Sequence, residues 1–87
     1  PLWPMPLLDR YNKFIESPIA DLTNSVGAPG DLIYSALFLK KFLNSDPDWV
    51  HIDMNAWNDR PISGRPAGGS DNAIRSLYAY LEKRFVK

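Results

Sequence analysis

Apolar side chains recur at helical spacing early in the chain, where Leu7, Leu8, Tyr11, Phe14 and Ile15 share one side and Asp9, Arg10, Asn12, Lys13 and Glu16 occupy the other. That pattern predicts an amphipathic helix. Pro6 suits its first turn, where a missing N–H costs nothing, and Ser17-Pro18 ends it, because a residue before proline is driven out of the helical region. The lead-in Pro1-Leu2-Trp3-Pro4-Met5-Pro6 predicts extended chain and has the look of sequence from inside a longer protein. Ile19 to Gly30 is mostly polar, with Gly27, Pro29 and Gly30, and predicts a loop with a short turn at Ala20–Leu22.

A second helix is predicted from Asp31, which stands where a capping residue belongs, through Leu32, Ile33, Tyr34, Ala36, Leu37, Phe38, Leu39, Phe42 and Leu43. These positions cover almost the whole circumference, so the helix is expected to be packed on more than one face. Lys40 and Lys41 near its end favour the helix dipole, and Asn44-Ser45-Asp46-Pro47-Asp48 returns the chain. Val50, Ile52 and Met54 then alternate with Trp49, His51 and Asp53, a period of two that predicts a strand. A long turning loop follows, with Pro61, Gly64-Arg65-Pro66 and Gly68-Gly69. Ser70 is placed to cap a last helix whose Ala73, Ile74, Leu77, Tyr78, Leu81 and Phe85 are expected to form a buried stripe.

The order is therefore helix, helix, strand, helix, an α/β pattern with one strand and no partner for it. Because main-chain N–H and C=O groups must be paired and even a two-stranded hairpin is marginal in water, the pattern implies missing sheet. The chain is expected to be a fragment of a larger α/β domain, with no complete domain boundary inside residues 1–87, or to find its sheet in a second copy of itself. Size agrees: 87 residues is one domain at most, and such a chain buries only about 60–65% of the surface exposed when unfolded. A hydrophobic fraction of 45% and a formal net charge of +0 exclude disorder by charge repulsion and leave no footprint for nucleic acid or an anionic membrane. The apolar run in 32–43 is too short and too interrupted to span a bilayer. No secretory leader is visible, and without cysteine there is neither a disulfide framework nor a thiolate metal site, which is compatible with a reducing, cytoplasmic setting.

Strand ends in α/β folds are where ligands bind, so the strand exit invites a search for chemistry. His51 and Asp53 have the donor types for zinc or manganese and share a strand face, yet a site needs three or four ligands. They are read as a structural pair, with His51 hydrogen-bonded and Asp53 tying the strand to the loop backbone. Asp46 and Asp48 flank a proline and read as turn residues. Ser63 or Ser70 with His51 lacks the Gly-x-Ser-x-Gly elbow of a hydrolase. Gly64-x-x-x-Gly68-Gly69 lacks the Lys-Ser/Thr ending of a phosphate loop, so glycine and proline serve the turn there. Lys40-Lys41 and Lys83-Arg84 are solvated helix ends.

Pro4-Met5-Pro6-Leu7 with Tyr11, Ser17-Pro18-Ile19-Ala20-Asp21-Leu22-Thr23-Asn24, Gly27-Ala28-Pro29-Gly30 leading to Ala36-Leu37-Phe38-Leu39-Lys40-Lys41-Phe42, and Trp49-Val50-His51-Ile52-Asp53 together resemble the carboxyl-terminal end of the leucyl aminopeptidase family of two-metal exopeptidases. The order and spacing match along essentially the whole chain, including the structural turn Gly64-Arg65-Pro66. Most members follow the His-x-Asp strand with a small pair such as Ala-Gly, whereas Asn55-Ala56-Trp57 here resembles the bacterial branch that runs into an Ala-Trp or Gly-Trp pair.

The resemblance implies a three-layer α/β/α catalytic domain, a peptide substrate, cytoplasmic location and assembly as a hexamer, with the remainder of the same domain as a further partner. It also implies two divalent ions, zinc or manganese, in the whole enzyme. Their lysine and carboxylate ligands lie upstream in an Asn-Thr-Asp-Ala-Glu-Gly-Arg motif absent from these 87 residues, so this chain is expected to bind no metal, to carry no catalytic group and to be inert alone. Residues just past this strand line the family's pocket for the substrate's first side chain, which makes Asn55, Ala56 and Trp57 candidates for a pocket wall. The residues leave a second role open for Trp57, a plug between loop and last helix. A different reading of the whole chain is a free-standing, non-catalytic scaffold that self-associates through its unpaired strand.

Overall fold

In a computed structural model, which describes residues 2–87, the order of elements is a 3-10 helix at Asp9–Phe14, helix α1 at Asp31–Lys40, strands β1 at Trp57–Asn58 and β2 at Gly68–Gly69, and helix α2 at Ile74–Phe85. Pro1 and its part in the extended lead-in lie outside the described residues. The chain divides into two compact units, Pro1–His51 and Ile52–Lys87.

The first unit has a core because its two helical segments present large apolar groups to each other. Ile15, Ile33, Tyr34 and Leu37 are buried there, with Leu8, Tyr11, Phe14, Val26 and Phe38 packed around them. Phe14 links the segments, its ring centroid lying 5.7 Å from Tyr11 and 5.8 Å from Tyr34 in tilted arrangements, the geometry aromatic quadrupoles favour. Polar bonds fix the loop between: Thr23 N–H donates to Ile15 O at 2.8 Å, Thr23 Oγ1 donates to Glu16 O at 2.8 Å, and Tyr34 OH donates to Ala28 O at 2.9 Å. The expected first helix is thus realised as six residues of 3-10 geometry. Leu7 and Leu8 stay outside it because Leu8 adopts extended angles, φ −88° and ψ 113°, and 3-10 runs are short by nature.

Helix α1 begins one residue earlier than the pattern predicts: Asp31, read as the cap, is its first residue, and the cap is Gly30. The Asp31 carboxylate lies in the first turn, and Gly30, at φ 96°, turns the chain into the helix while its carbonyl accepts from Ile33 and Tyr34 N–H at 3.0 and 3.2 Å. Only a residue without Cβ reaches that angle freely, and here the Tyr11 ring also fills the space a Cβ would need. The helix ends at Lys40, and it is covered on one side only: Ile33, Tyr34, Ala36 and Leu37 are buried while Leu32 and Leu39 are exposed, as is Phe42 just beyond its end. Its all-round apolar surface has more faces than the first unit has partners.

The predicted strand at 49–54 does not form. No main-chain hydrogen bond joins residues 49–54 to other described residues, because a ladder requires a second strand and none is present beside them. The pairing appears instead inside the expected loop, where β1 and β2 run antiparallel in the register Trp57↔Gly69, Asn58↔Gly68. The helix-helix-strand-helix order is corrected accordingly to a 3-10 helix, an α-helix, a two-stranded ribbon and an α-helix. Helix α2 starts three residues later than the Ser70 cap suggests, with Ala73 in the cap position, since Ser70 N–H is taken by Ala56 O at 2.8 Å and the chain must turn once more through Asn72 and Ala73. The stripe Ile74, Leu77, Tyr78, Leu81, Phe85 has helical spacing, yet no residue of α2 is buried.

Candidate functional site

The segment from Asn55 to Asn72 is a nested closure. Outermost, Asn72 Nδ2 donates to Asn55 O at 2.6 Å and Ser70 N–H donates to Ala56 O at 2.8 Å. Inside these lie the β1–β2 pairs, and Asn58 Nδ2 donates to Pro66 O at 3.1 Å. The tip closes through Ile62 and Arg65, whose N–H groups donate to each other's carbonyls at 2.9 and 2.8 Å. Gly64 is the third residue of that four-residue turn and adopts φ 75°, the left-handed value such a position favours, with Pro66 just beyond. Gly64-Arg65-Pro66 thus stands at the point where the ribbon turns back.

At the open end, Asn55 Oδ1 accepts from Trp57 N–H at 3.0 Å, an Asx-type local bond that sets the chain's entry to β1. The Trp57 indole is 62% exposed, and its main chain rather than its ring is held. Asn55 and Ala56 are exposed as well. The ring does not plug the ribbon against α2 in this unit. A solvent-open recess of about 200 Å³ lies on the ribbon between Asn58, Arg65, Pro66 and Ser70 to Asn72, with polar lining; Asn55, Ala56 and Trp57 are outside it.

His51 and Asp53 are not joined to this closure. The His51 ring is half-buried and stacks on Trp49, with centroids 6.2 Å apart and planes 22° from parallel. The Asp53 side chain is exposed, and the hydrogen bonds expected of the two side chains do not form among the described residues. Nor do His, Asp and Glu side chains converge in threes among the described residues, which therefore do not fit a metal ion. No helix among the described residues is long and apolar enough to cross a membrane.

Asn58 and Asn72 are the groups sequence reading missed. Both are asparagines in polar surroundings, and the only signal available was their composition, common to any turn. Their partners lie 8 and 17 residues away, beyond the reach of a local pattern. Ser70, expected as a helix cap, has a solvent-shielded Oγ without a partner among the described residues.

The chain matches the model of the cytosol aminopeptidase family, catalytic domain, over residues 1–78. It is 41% identical over 82 residues to a probable cytosol aminopeptidase of Synechococcus sp. (strain CC9902), covering 92% of this chain and 17% of that protein. A probable cytosol aminopeptidase of Prochlorococcus marinus (strain MIT 9211) is 40% identical over 84 residues, 94% of this chain and 17% of its own length. One of Gluconobacter oxydans (strain 621H) is 37% identical over 83 residues, with 93% and 17% covered. No solved structure matches the chain. It spans about a sixth of the length of these curated relatives, 17% of each. With 78 of its residues matched by one family model and with these relatives alongside, the chain belongs to the cytosol aminopeptidase family.

Proposed function

We propose that this chain is the carboxyl-terminal portion of a metal-dependent leucyl-type aminopeptidase that releases N-terminal residues from peptides, and that the portion itself holds neither the metal ligands nor the catalytic groups. The observation that carries the reading is the family match over residues 1–78 by a chain that spans 17% of its relatives' length. In that enzyme two divalent ions, zinc or manganese, would be held by residues outside this chain and would supply Lewis-acid polarisation and water activation near neutral pH.

The contribution of the present residues is structural and selective. Residues 49–54, whose main chain has no partner here, join the sheet of a three-layer α/β/α domain as its added strand. The stripe of α2 and the uncovered side of α1 pack on the rest of that domain. Asn55, Ala56 and Trp57 then form part of the wall that meets the substrate's first side chain, with His51, Asp53 and the Gly64-Arg65-Pro66 turn as supports. The enzyme assembles as a hexamer in the cytoplasm. A self-associating scaffold is not favoured, because the family model and the relatives that match this chain are those of cytosol aminopeptidases.

The test is a transplant. Residues 1–87 replace the matching segment of the Synechococcus sp. (strain CC9902) relative, and cleavage of leucyl p-nitroanilide is followed with zinc or manganese present. The expected result is metal-dependent cleavage by the transplant, with none by the truncated relative or by this chain alone. Cleavage by the isolated chain, or a folded transplant without activity, would overturn the proposal.

A further inference from the structure

The structure points to Asn72 as a positioning residue for substrate selectivity: we infer that its side-chain amide sets the conformation of Asn55-Ala56-Trp57, and through them which first side chain the enzyme accepts. The inference rests on the proposed pocket-wall role of those three residues and deepens it.

Asn72 Nδ2 donates to Asn55 O at 2.6 Å, a side-chain bond that spans 17 residues and closes the mouth of the ribbon. Asn55 in turn directs its own Oδ1 to Trp57 N–H, so the carbonyl and the side chain of one residue connect Asn72 to the tryptophan. The adjacent bond from Ser70 N–H to Ala56 O fixes the middle residue from the same strand exit. Among the described residues the three candidate positions are therefore held from residues 69–72, through Asn72, Ser70 and Gly69, and from within by Asn55 Oδ1 on Trp57 N–H.

The backbone beside Asn72 supports this. Ala73 has φ 65° and ψ −14°, and it is the one non-glycine residue of positive φ among those described. A left-handed alanine is an unfavourable conformation that persists only where its surroundings over-determine it. Here it turns the chain from the ribbon into α2 directly after the asparagine that bonds back to Asn55. An ordinary helix start would cap with a side chain to the first-turn N–H groups, whereas α2 has no side-chain cap and the Asn72 amide is spent across the ribbon.

The experiment uses the metal-loaded transplant and measures kcat/KM on leucyl, alanyl and phenylalanyl p-nitroanilides for Trp57→Ala, Asn72→Ala, Asn72→Asp and Asn72→Gln. Asn72→Asp keeps the shape and loses the donor, whereas Asn72→Gln keeps the amide. The inference expects the leucyl-to-phenylalanyl ratio to shift about 2- to 10-fold in Asn72→Ala and Asn72→Asp, the range one hydrogen bond supports, and to return toward the parent in Asn72→Gln. Amide exchange at Trp57 should rise in the first two variants alone. A shifted ratio in Trp57→Ala with an unchanged one in Asn72→Asp would overturn the positioning role while leaving the wall. Equal loss on every substrate would also overturn it, since that is the mark of a structural role. An unchanged ratio in Trp57→Ala would remove the wall itself, and the inference with it.

Discussion

Replacing Gly30 by alanine tests why the first unit is shaped as it is. Gly30 has φ 96°, and an added Cβ would sit inside the contact distance of Tyr11 Cε1, with Cδ1 at 3.1 Å and Cζ at 3.3 Å. Two costs follow. A Cβ in the left-handed region costs about 1–2 kcal/mol. Moving a packed ring costs about 1–3 kcal/mol more, and the Tyr11 ring cannot retreat freely because Phe14 lies against it at 5.7 Å. The lower entropy of the unfolded alanine chain offsets about 0.4–1 kcal/mol. The net destabilisation is thus roughly 3 kcal/mol, which corresponds to a fall of about 100-fold in the protection of the α1 amides against hydrogen exchange. The amides of Ile33 and Tyr34, bonded to the Gly30 carbonyl, are the reporters. A second background separates the two costs: with Tyr11→Ala already present, Gly30→Ala should cost only the conformational 1–2 kcal/mol or so. A protection change under threefold in the parent background, or the same cost in both, would refute the steric argument.

Other substitutions in the same unit read its core directly. Ile15 is 1% exposed at the centre of the first unit, and Ile15→Ala should cost about 2–5 kcal/mol, seen as loss of α1 protection. Tyr34→Phe removes the hydroxyl that donates to Ala28 O at 2.9 Å; the expected loss is about 0.5–1.5 kcal/mol, with faster exchange and greater protease sensitivity confined to the loop before α1.

The sequence was most legible where local pattern and local structure coincide. Helix α1 was placed to within one residue, Asp31 being its first residue rather than its cap, since a helix start of this kind needs no distant partner. The first helix was recognisable from Tyr11, Phe14 and Ile15 but overextended, because the spacing cannot distinguish a full α-helix from six residues of 3-10 when only a few apolar groups are involved. At 49–54 the alternation was real and the strand absent, for pairing is a property of two segments. The ribbon went unread for the opposite reason: Gly68 and Gly69 are poor strand formers, and their pairing with Asn58 and Trp57 is dictated by the tight turn at Gly64. On α2 the stripe was right and its burial wrong, since amphipathicity states which face is to be covered and says nothing of what covers it. Asn55-Ala56-Trp57 stood out in the sequence as a strand exit, whereas Asn72, whose amide donates to Asn55 O across 17 residues, left no local signal.

The ribbon's register is written in main-chain bonds: Ala56 O, the Trp57–Gly69 and Asn58–Gly68 pairs, and the reciprocal Ile62–Arg65 bonds. The side chains of Ala56 and Trp57 carry none of that geometry. Evolution, or a library at these two positions, can therefore exchange one surface for another there while the frame that presents it stays put.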